Sequence, residues 1–467
     1  MNPNDRLVKI LERRYKKLTP GSLRIFRRAE KVMIRGGSHS LRLLSPYPFF
    51  VQKASGPSVV DVDGNVFLDF WQGHYANLLG HNPGFPEAEG IGDDPSKTSL
   101  HTGFEVETQV SLAELLLKQI GWKGHKVRFT TSGTLATMYA VMLAFGKTGR
   151  DEILKIGGGW HGASPVLLKG IKFDPKLGFE KIESAGVPNA FGRKIHTVRF
   201  NDPDDLARVF RKRGDKIACF ILEPYLGAGG FLPATREYLE AARRLTARHG
   251  AVLIFDEIIS GFRFAPTGVQ RLAGVEPDVS TFGKVIGGGH AVAAVTGKAG
   301  ILDCIQLKPG RRGRVQFSGG TYSAHPQYLR AGLLTLRRLI READAIYPRI
   351  AALGERLRRG IEDAFAAEGF EVRCTGRGND VVGGSSLFMT NFLLRPHEIR
   401  SAEDIQDPKL SDVRLREEVL RLALLTRGVH LVHGGGAISA AHGENDIDRA
   451  LAAVAEIAQQ FRTAGVR

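Results

Sequence analysis

Between about residues 126 and 300, short apolar runs alternate with stretches of helical periodicity, and this alternation limits the fold more than any other feature. The strand candidates are Val127-Arg128-Phe129, Glu152-Ile153-Leu154-Lys155-Ile156, Ile217-Ala218-Cys219-Phe220-Ile221-Leu222 and Ala251-Val252-Leu253-Ile254-Phe255, with helices such as 134–145 and 235–249 in the gaps. Strands of this kind bury both faces, so the pattern predicts an α/β chain with helices on both sides of a mainly parallel sheet. In such sheets ligands bind at the carboxyl ends of the strands.

The flanking segments differ. Residues 6–35 carry one run of helical periodicity that ends near Gly36-Gly37. Residues 49–70 form short strands about the turn Asp63-Gly64-Asn65, a hairpin signal. Beyond about 326, helical stretches (326–342, 346–367, 412–427, 445–462) surround a few short strands, the pattern of a smaller α+β lobe.

The net charge is +16, and residues 1–35 hold eleven Lys/Arg against Asp5, Glu12 and Glu30. No helix-turn-helix, zinc-finger or aromatic RNA-binding pattern accompanies that charge, so a solvated helix is expected rather than a nucleic-acid partner. A basic surface attracts anions, and a phosphorylated cofactor with carboxylate substrates suits it. No apolar stretch approaches the ~20 residues a membrane span needs. The first residues form a charged helix rather than a signal peptide, so a cytoplasmic protein with no membrane partner is expected. Cys219, Cys304 and Cys374 lie far apart without CxxC or Cys/His spacing, which predicts neither a metal site nor a disulfide framework.

Four segments place polar residues just after an expected strand. Ser132-Gly133-Thr134 opens a helix, where backbone N–H groups, hydroxyls and the helix dipole suit a phosphate, although a plain Ser cap has the same sequence. Gly157-Gly158-Gly159-Trp160-His161-Gly162 joins a permissive backbone to a flat side chain; a buried Trp beside a flexible loop fits it equally. Asp256 ends an apolar strand and needs a partner there, either a protonated heterocyclic nitrogen or a structural Arg such as Arg263. Lys284 stands alone in Thr281-Phe282-Gly283-Lys284-Val285-Ile286-Gly287-Gly288-Gly289, where desolvation makes a lysine a Schiff-base nucleophile.

In this order and spacing, with Glu223-Pro224 and Asp256-Glu257-Ile258-Ile259-Ser260-Gly261-Phe262-Arg263, the segments resemble class III (fold-type I) aminotransferases dependent on pyridoxal 5'-phosphate (PLP). Within that family the chain is most similar to the glutamate-1-semialdehyde 2,1-aminomutase subgroup. The resemblance implies a large domain with a mostly parallel seven-stranded sheet over residues 69–325. It also implies a small α+β domain built from both chain ends, 1–68 and 326–467. Lys284 is then the catalytic lysine that bonds the cofactor, and Asp256 keeps its ring nitrogen protonated. Ser132, Gly133 and Thr134 hold the phosphate, Trp160 stacks on the ring, and Glu223 joins the cofactor site. Thr321 reaches the phosphate of the neighbouring subunit, which implies a homodimer. Arg42 takes the substrate carboxylate, with His74 on the substrate side.

The chain also departs from the subgroup. Leu135 replaces the usual Glu after the Ser-Gly-Thr turn. Ala228 stands where the aminomutase has Asn and many aminotransferases have Glu, Gly73-His74 replace the Ser-Trp pair of the aminomutase, and region 82–100 is short. The altered positions line the substrate side, so the expected reaction is transamination between a small amino acid and an oxo acid such as 2-oxoglutarate or pyruvate. Aminomutase or racemase chemistry is the alternative. A non-catalytic PLP-binding regulator lacks an appended DNA-binding module here, and a plain nucleotide-binding fold leaves Lys284 unexplained.

Overall fold

The computed structural model describes residues 2–85, 103–305, 308 and 313–466. The shortened region expected at 82–100 lies mostly outside them. The single helix expected over 6–35 is two helices, Pro3–Leu18 and Pro20–Ala29. Proline disfavours helical geometry in the residue before it, and Thr19 turns away with φ −126° and ψ 48°. Pro20, which has no N–H to satisfy, then opens the second helix.

Strands β1 (Val51–Ser55), β2 (Ser58–Asp61) and β3 (Val66–Asp69) follow as an antiparallel sheet. The expected turn joins β2 to β3, where Asp61 Oδ1 accepts from the N–H groups of Asp63 (2.9 Å) and Asn65 (2.8 Å).

The central sheet is built from β4 (His125–Thr130), β5 (Glu152–Ile156), β6 (Ile195–Val198) and β7 (Ile217–Leu222). The chain then makes a small hairpin, β8 (Tyr225–Leu226) and β9 (Leu232–Pro233). It returns to the central sheet with β10 (Val252–Glu257), β11 (Val279–Phe282) and β12 (Ala293–Lys298). Among the described residues this sheet has seven strands in the order β4-β12-β11-β10-β7-β5-β6. Only β12 runs against the others, so the expected mostly parallel sheet is present.

Alternate residues of the sheet feed two separate cores, as the two-residue period of a strand requires. Ile153, Cys219, Ile221, Val252 and Ile254 pack with Ala136, Ala140 and Ala144 of the helix Gly133–Thr148. Leu154, Phe220, Leu222, Leu253 and Phe255 pack with Tyr238, Leu239 and Ala242 of the helix Arg236–His249. Burial of each such large side chain contributes about 1.5–3 kcal/mol, so the sheet edge that carries the polar residues is rigidly held.

The C-terminal part adds β13 (Val372–Thr375), β14 (Leu387–Phe392), β15 (Val429–His430) and β16 (Gly435–Ala437). β15 pairs in parallel with β3, so both ends of the chain share one four-stranded sheet. The helix expected over 412–427 is a wide π-type turn, Leu415–Leu420, that runs into the helix Arg421–Leu425. Among the described residues no helix is long and apolar enough to cross a membrane.

Candidate active site

The polar segments singled out from the sequence converge on the carboxyl edge of the central sheet. Ser132 follows β4, Trp160 follows β5, Glu223 follows β7, Asp256 lies near the end of β10, and Lys284 follows β11.

Asp256 is paired in register with Thr281 of β11 and is 3% exposed. Its Oδ1 accepts from Thr281 Oγ1 (3.0 Å) and Ile258 N (3.1 Å), while Oδ2 lies 2.8 Å from His161 Nδ1. The partner of Asp256 in this chain is therefore His161. The alternative, Arg263, instead donates to the carbonyls of Ile259 and Tyr75. A carboxylate has about four acceptor positions, and three are filled, which leaves one for a protonated ring nitrogen. Burial pushes the His161 imidazole down despite the pull of Asp256, so the ring is neutral with its proton on Nδ1. Among the described residues, His161 Nε2 has no hydrogen-bond partner.

Lys284 opens the short turn Lys284–Gly287 with φ +46°. Left-handed backbone costs a residue with a side chain roughly 1–2 kcal/mol, a strain characteristic of functional sites. Burial pushes its amine down to about 8, against the opposing charges of Asp256 and Glu223 and with help from Arg263. An amine near that value is part neutral, hence nucleophilic, around neutral pH.

Ser132 caps the helix Gly133–Thr148, its Oγ accepting from Leu135 N at 3.3 Å, so the plain cap is present here. The other first-turn N–H groups have no acceptor inside the helix. Gly162, at φ +83°, lies so close that an added Cβ would fall 2.5 Å from Thr134 Oγ1, which seats the glycine loop on this helix start. Trp160 is 39% exposed; the buried tryptophan considered from sequence is not what this loop holds. Glu223, 3% exposed, accepts from Trp160 N and Gly227 N, both at 2.9 Å, and burial followed by the charge of Asp256 raises it to about 8.

Arg42 and His74, thirty-two residues apart, meet: Arg42 Nε donates to His74 Nε2 at 3.4 Å. His39 packs edge-on to His74 at 4.8 Å, and Trp71 lies 4.1 Å away. Burial lowers His74 to about 4, with His39, Arg42 and Lys284 adding to the shift, so His74 is a neutral acceptor for Arg42. The turn Gln72–Tyr75 packs against the turn of Lys284, which brings the pair to the same site. Gln72, Gly73, His74 and Tyr75 all have left-handed φ, from +46° to +67°. Asp69 anchors that strained turn. It accepts from the backbone of Trp71 (2.9 Å) and Gln72 (3.0 Å), from His430 (2.9 Å) and from His81 (2.8 Å). Burial alone would raise the Asp69 carboxyl, but bonds from His430 and His81 hold it well below the usual range. Thr321 is exposed, in a turn after two left-handed glycines, the second of which would place a Cβ 3.9 Å from Thr131 Oγ1, next to Ser132.

His161, Thr281 and Asp69 were not picked out from sequence. The first two lie inside segments that were, and only the fold shows that both turn toward Asp256. Together the groups suit a flat, phosphorylated aldehyde with a basic ring nitrogen: an amine of lowered pKa, a carboxylate with one free acceptor, a helix N-terminus with hydroxyls, and an open indole.

Known proteins agree with that chemistry. The model of the family "Aminotransferase class-III" matches residues 42–379. Glutamate-1-semialdehyde 2,1-aminomutase of Haloarcula marismortui is 38% identical over 356 residues, 76% of this chain and 77% of its own. The enzyme of the same name from Akkermansia muciniphila is 35% identical over 93% of this chain and 97% of its own. A transaminase solved with PLP bound superposes with a TM-score of 0.81 at 30% identity, covering 96% of this chain and 99% of that one. The chain belongs to the class III aminotransferases, enzymes whose cofactor is pyridoxal 5'-phosphate.

Proposed function

We propose that this enzyme moves an amino group between a small amino acid and an oxo acid such as 2-oxoglutarate or pyruvate. The observation that carries the reading is the Arg42–His74 pair beside Lys284. A guanidinium that has no carboxylate partner among the described residues, bonded to the turn that packs against Lys284, suits a substrate with both a carboxylate and an amine. Bound, the cofactor supplies an electron sink for the carbon that bears the amine.

The chain's residues do the rest. Lys284 Nζ would hold the cofactor through its aldehyde and would serve as the general base and acid that takes and returns a proton. Asp256, set in place by His161 and Thr281, holds the ring nitrogen in its charged form. Ser132, Gly133 and Thr134 bind the phosphate, Trp160 covers the ring face, and Glu223 acts on the cofactor site through the backbone of Trp160. Thr321 completes the phosphate site of a second subunit, so the active species is a homodimer, and we place it in the cytoplasm. The site lies in a large domain, 69–325, bordered by a small domain from 1–68 and 326–467; the pairing of β3 with β15 supports that division.

A second reading, intramolecular amine transfer, draws on the names of the relatives from Haloarcula and Akkermansia. Gly73-His74, at a substrate-side position where the aminomutase pattern has Ser-Trp, speak for transamination. The deciding experiment offers amino donors with 2-oxoglutarate or pyruvate and follows products by chiral analysis. Amine transfer that depends on the oxo acid is expected. Turnover of glutamate-1-semialdehyde with no oxo-acid acceptor would overturn the proposal in favour of the aminomutase.

A further inference from the structure

The peptide group between Gly159 and Trp160 is held at both ends by buried ionisable side chains. Lys155 Nζ donates to Gly159 O at 2.8 Å, and Trp160 N donates to Glu223 Oε1 at 2.9 Å. The carbonyl and the amide belong to one planar unit and point in opposite directions. The Lys155 amine thus faces the carbonyl end of this peptide, and the Glu223 carboxyl group faces its N–H end. Each side chain is also tied to a second segment, Lys155 to Lys169 O (2.8 Å) and Glu223 to Gly227 N (2.9 Å).

Two observations separate this arrangement from ordinary packing. Lys155 is 0% exposed on a strand whose every residue is buried, and lysine is almost never buried so fully without a partner or a task. The segment it holds ends three successive glycines, Gly157-Gly158-Gly159, the most permissive backbone available. A flat side chain that follows such a run keeps a fixed angle only if something outside the run grips the backbone. Burial pushes Lys155 down to about 7 while the charges of Glu223 and Glu183 oppose that fall.

We propose that Lys155 and Glu223 are positioning residues that clamp the Gly159–Trp160 peptide and thereby aim the Trp160 indole at the cofactor ring. The inference rests on the reading that Trp160 supplies the ring face. Lys155 touches neither cofactor nor substrate in this scheme; it acts through one peptide plane.

The test compares Lys155→Met, Glu223→Gln and Trp160→Ala, alone and combined, in the full-length protein. Glu223→Gln keeps the shape but sets an amide N–H against one of two backbone donors, so it serves should Lys155→Met fail to fold. PLP affinity is read by absorbance titration, the visible circular dichroism of bound cofactor reports its asymmetric seating, and melting reports the fold. Each single clamp variant is expected to weaken PLP binding roughly tenfold, the loss that follows from leaving one buried carbonyl or amide unpaired, and to flatten the dichroic band. In the Trp160→Ala background neither is expected to add further loss, because groups that act through one element are not additive. Lower melting with unchanged affinity and dichroism, or losses that add fully to Trp160→Ala, would overturn the clamp. Unchanged affinity and dichroism in Trp160→Ala alone would instead overturn the reading of Trp160 as the ring face.

Discussion

His161 Nδ1 lies 2.8 Å from Asp256 Oδ2, with both residues 3% exposed or less, so the carboxylate at the end of β10 is oriented from behind by a neutral imidazole. Thr281 and the backbone of Ile258 fix its other oxygen. An aspartate fixed at three points is preorganised to face a positive ring nitrogen without rearrangement. Asp256→Asn is expected to lower kcat on the order of a hundredfold or more while the protein stays folded, since removing one preorganised electrostatic contact costs about that much. Steady-state kinetics with circular dichroism checks it. Near-normal turnover would mean that Asp256 serves only to hold His161 and Thr281.

The lowered amine of Lys284 predicts when the cofactor can be captured. Only the neutral amine attacks an aldehyde, so capture of PLP by cofactor-free protein is expected to quicken as pH rises and to level off above about 8, where an ordinary lysine would level off near 10.5. The sign for stability follows from the same shift. The unfolded chain holds this proton up to about 10.5 and the folded chain only to about 8. The burial penalty is thus complete below about 8 and is relieved as pH rises between the two values. Lys284→Ala should abolish turnover, and borohydride reduction of wild type followed by peptide mapping should put the cofactor on Lys284. A label on another lysine would contradict both.

Asp69 makes a prediction about stability. Its two oxygens take four donors, from both ends of the chain and from the strained turn that carries His74. Asp69→Asn sets an N–H against two of them and should cost about 3 kcal/mol, as removal of one partner from a buried charged group does. Because its folded pKa is depressed, its contribution is present above the usual carboxylate range and is lost as pH falls through and below it. Urea midpoints of wild type and variant should therefore differ at neutral pH and converge in acid. Equal midpoints at neutral pH would show that the turn is held by other contacts.

How much of this was legible in the sequence depended on how local the signal was. Asp256 and Lys284 declared themselves because a charge at the end of an apolar run has few structural explanations. The two-helix start was also legible, since Pro20 stood inside the expected helix, but periodicity on either side masked it. Strand β11 was harder: Val279-Ser280-Thr281-Phe282 is half polar because Thr281 serves Asp256. The turn Gln72–Tyr75 left no trace at all. Three of its residues have side chains that disfavour left-handed backbone, and tertiary contacts from Asp69 and Arg263 hold that backbone. The meeting of Arg42, His74 and Lys284 depends on that turn, so no spacing rule could reveal it.

Arg42 yields the prediction that most directly probes the substrate. Its guanidinium is exposed and spends Nε on His74, and among the described residues its other N–H groups meet no acceptor, so they can form a fork toward a carboxylate. His74, held neutral with a pKa of about 4, accepts that bond without repelling the cation across the whole neutral range. If Arg42 binds the substrate carboxylate, Arg42→Ala should cost about 2 kcal/mol in kcat/KM for an amino acid, roughly thirtyfold, the scale of one hydrogen-bonded charged contact. The decarboxylated amine, which lacks the carboxylate, should lose far less. His74→Ala should follow the same pattern more weakly, because it removes the support and not the contact. Kinetics of both variants on an amino acid and its decarboxylated analogue separate the outcomes. Equal losses on the two substrates would show that Arg42 only braces the Gln72–Tyr75 turn, and that another group holds the carboxylate.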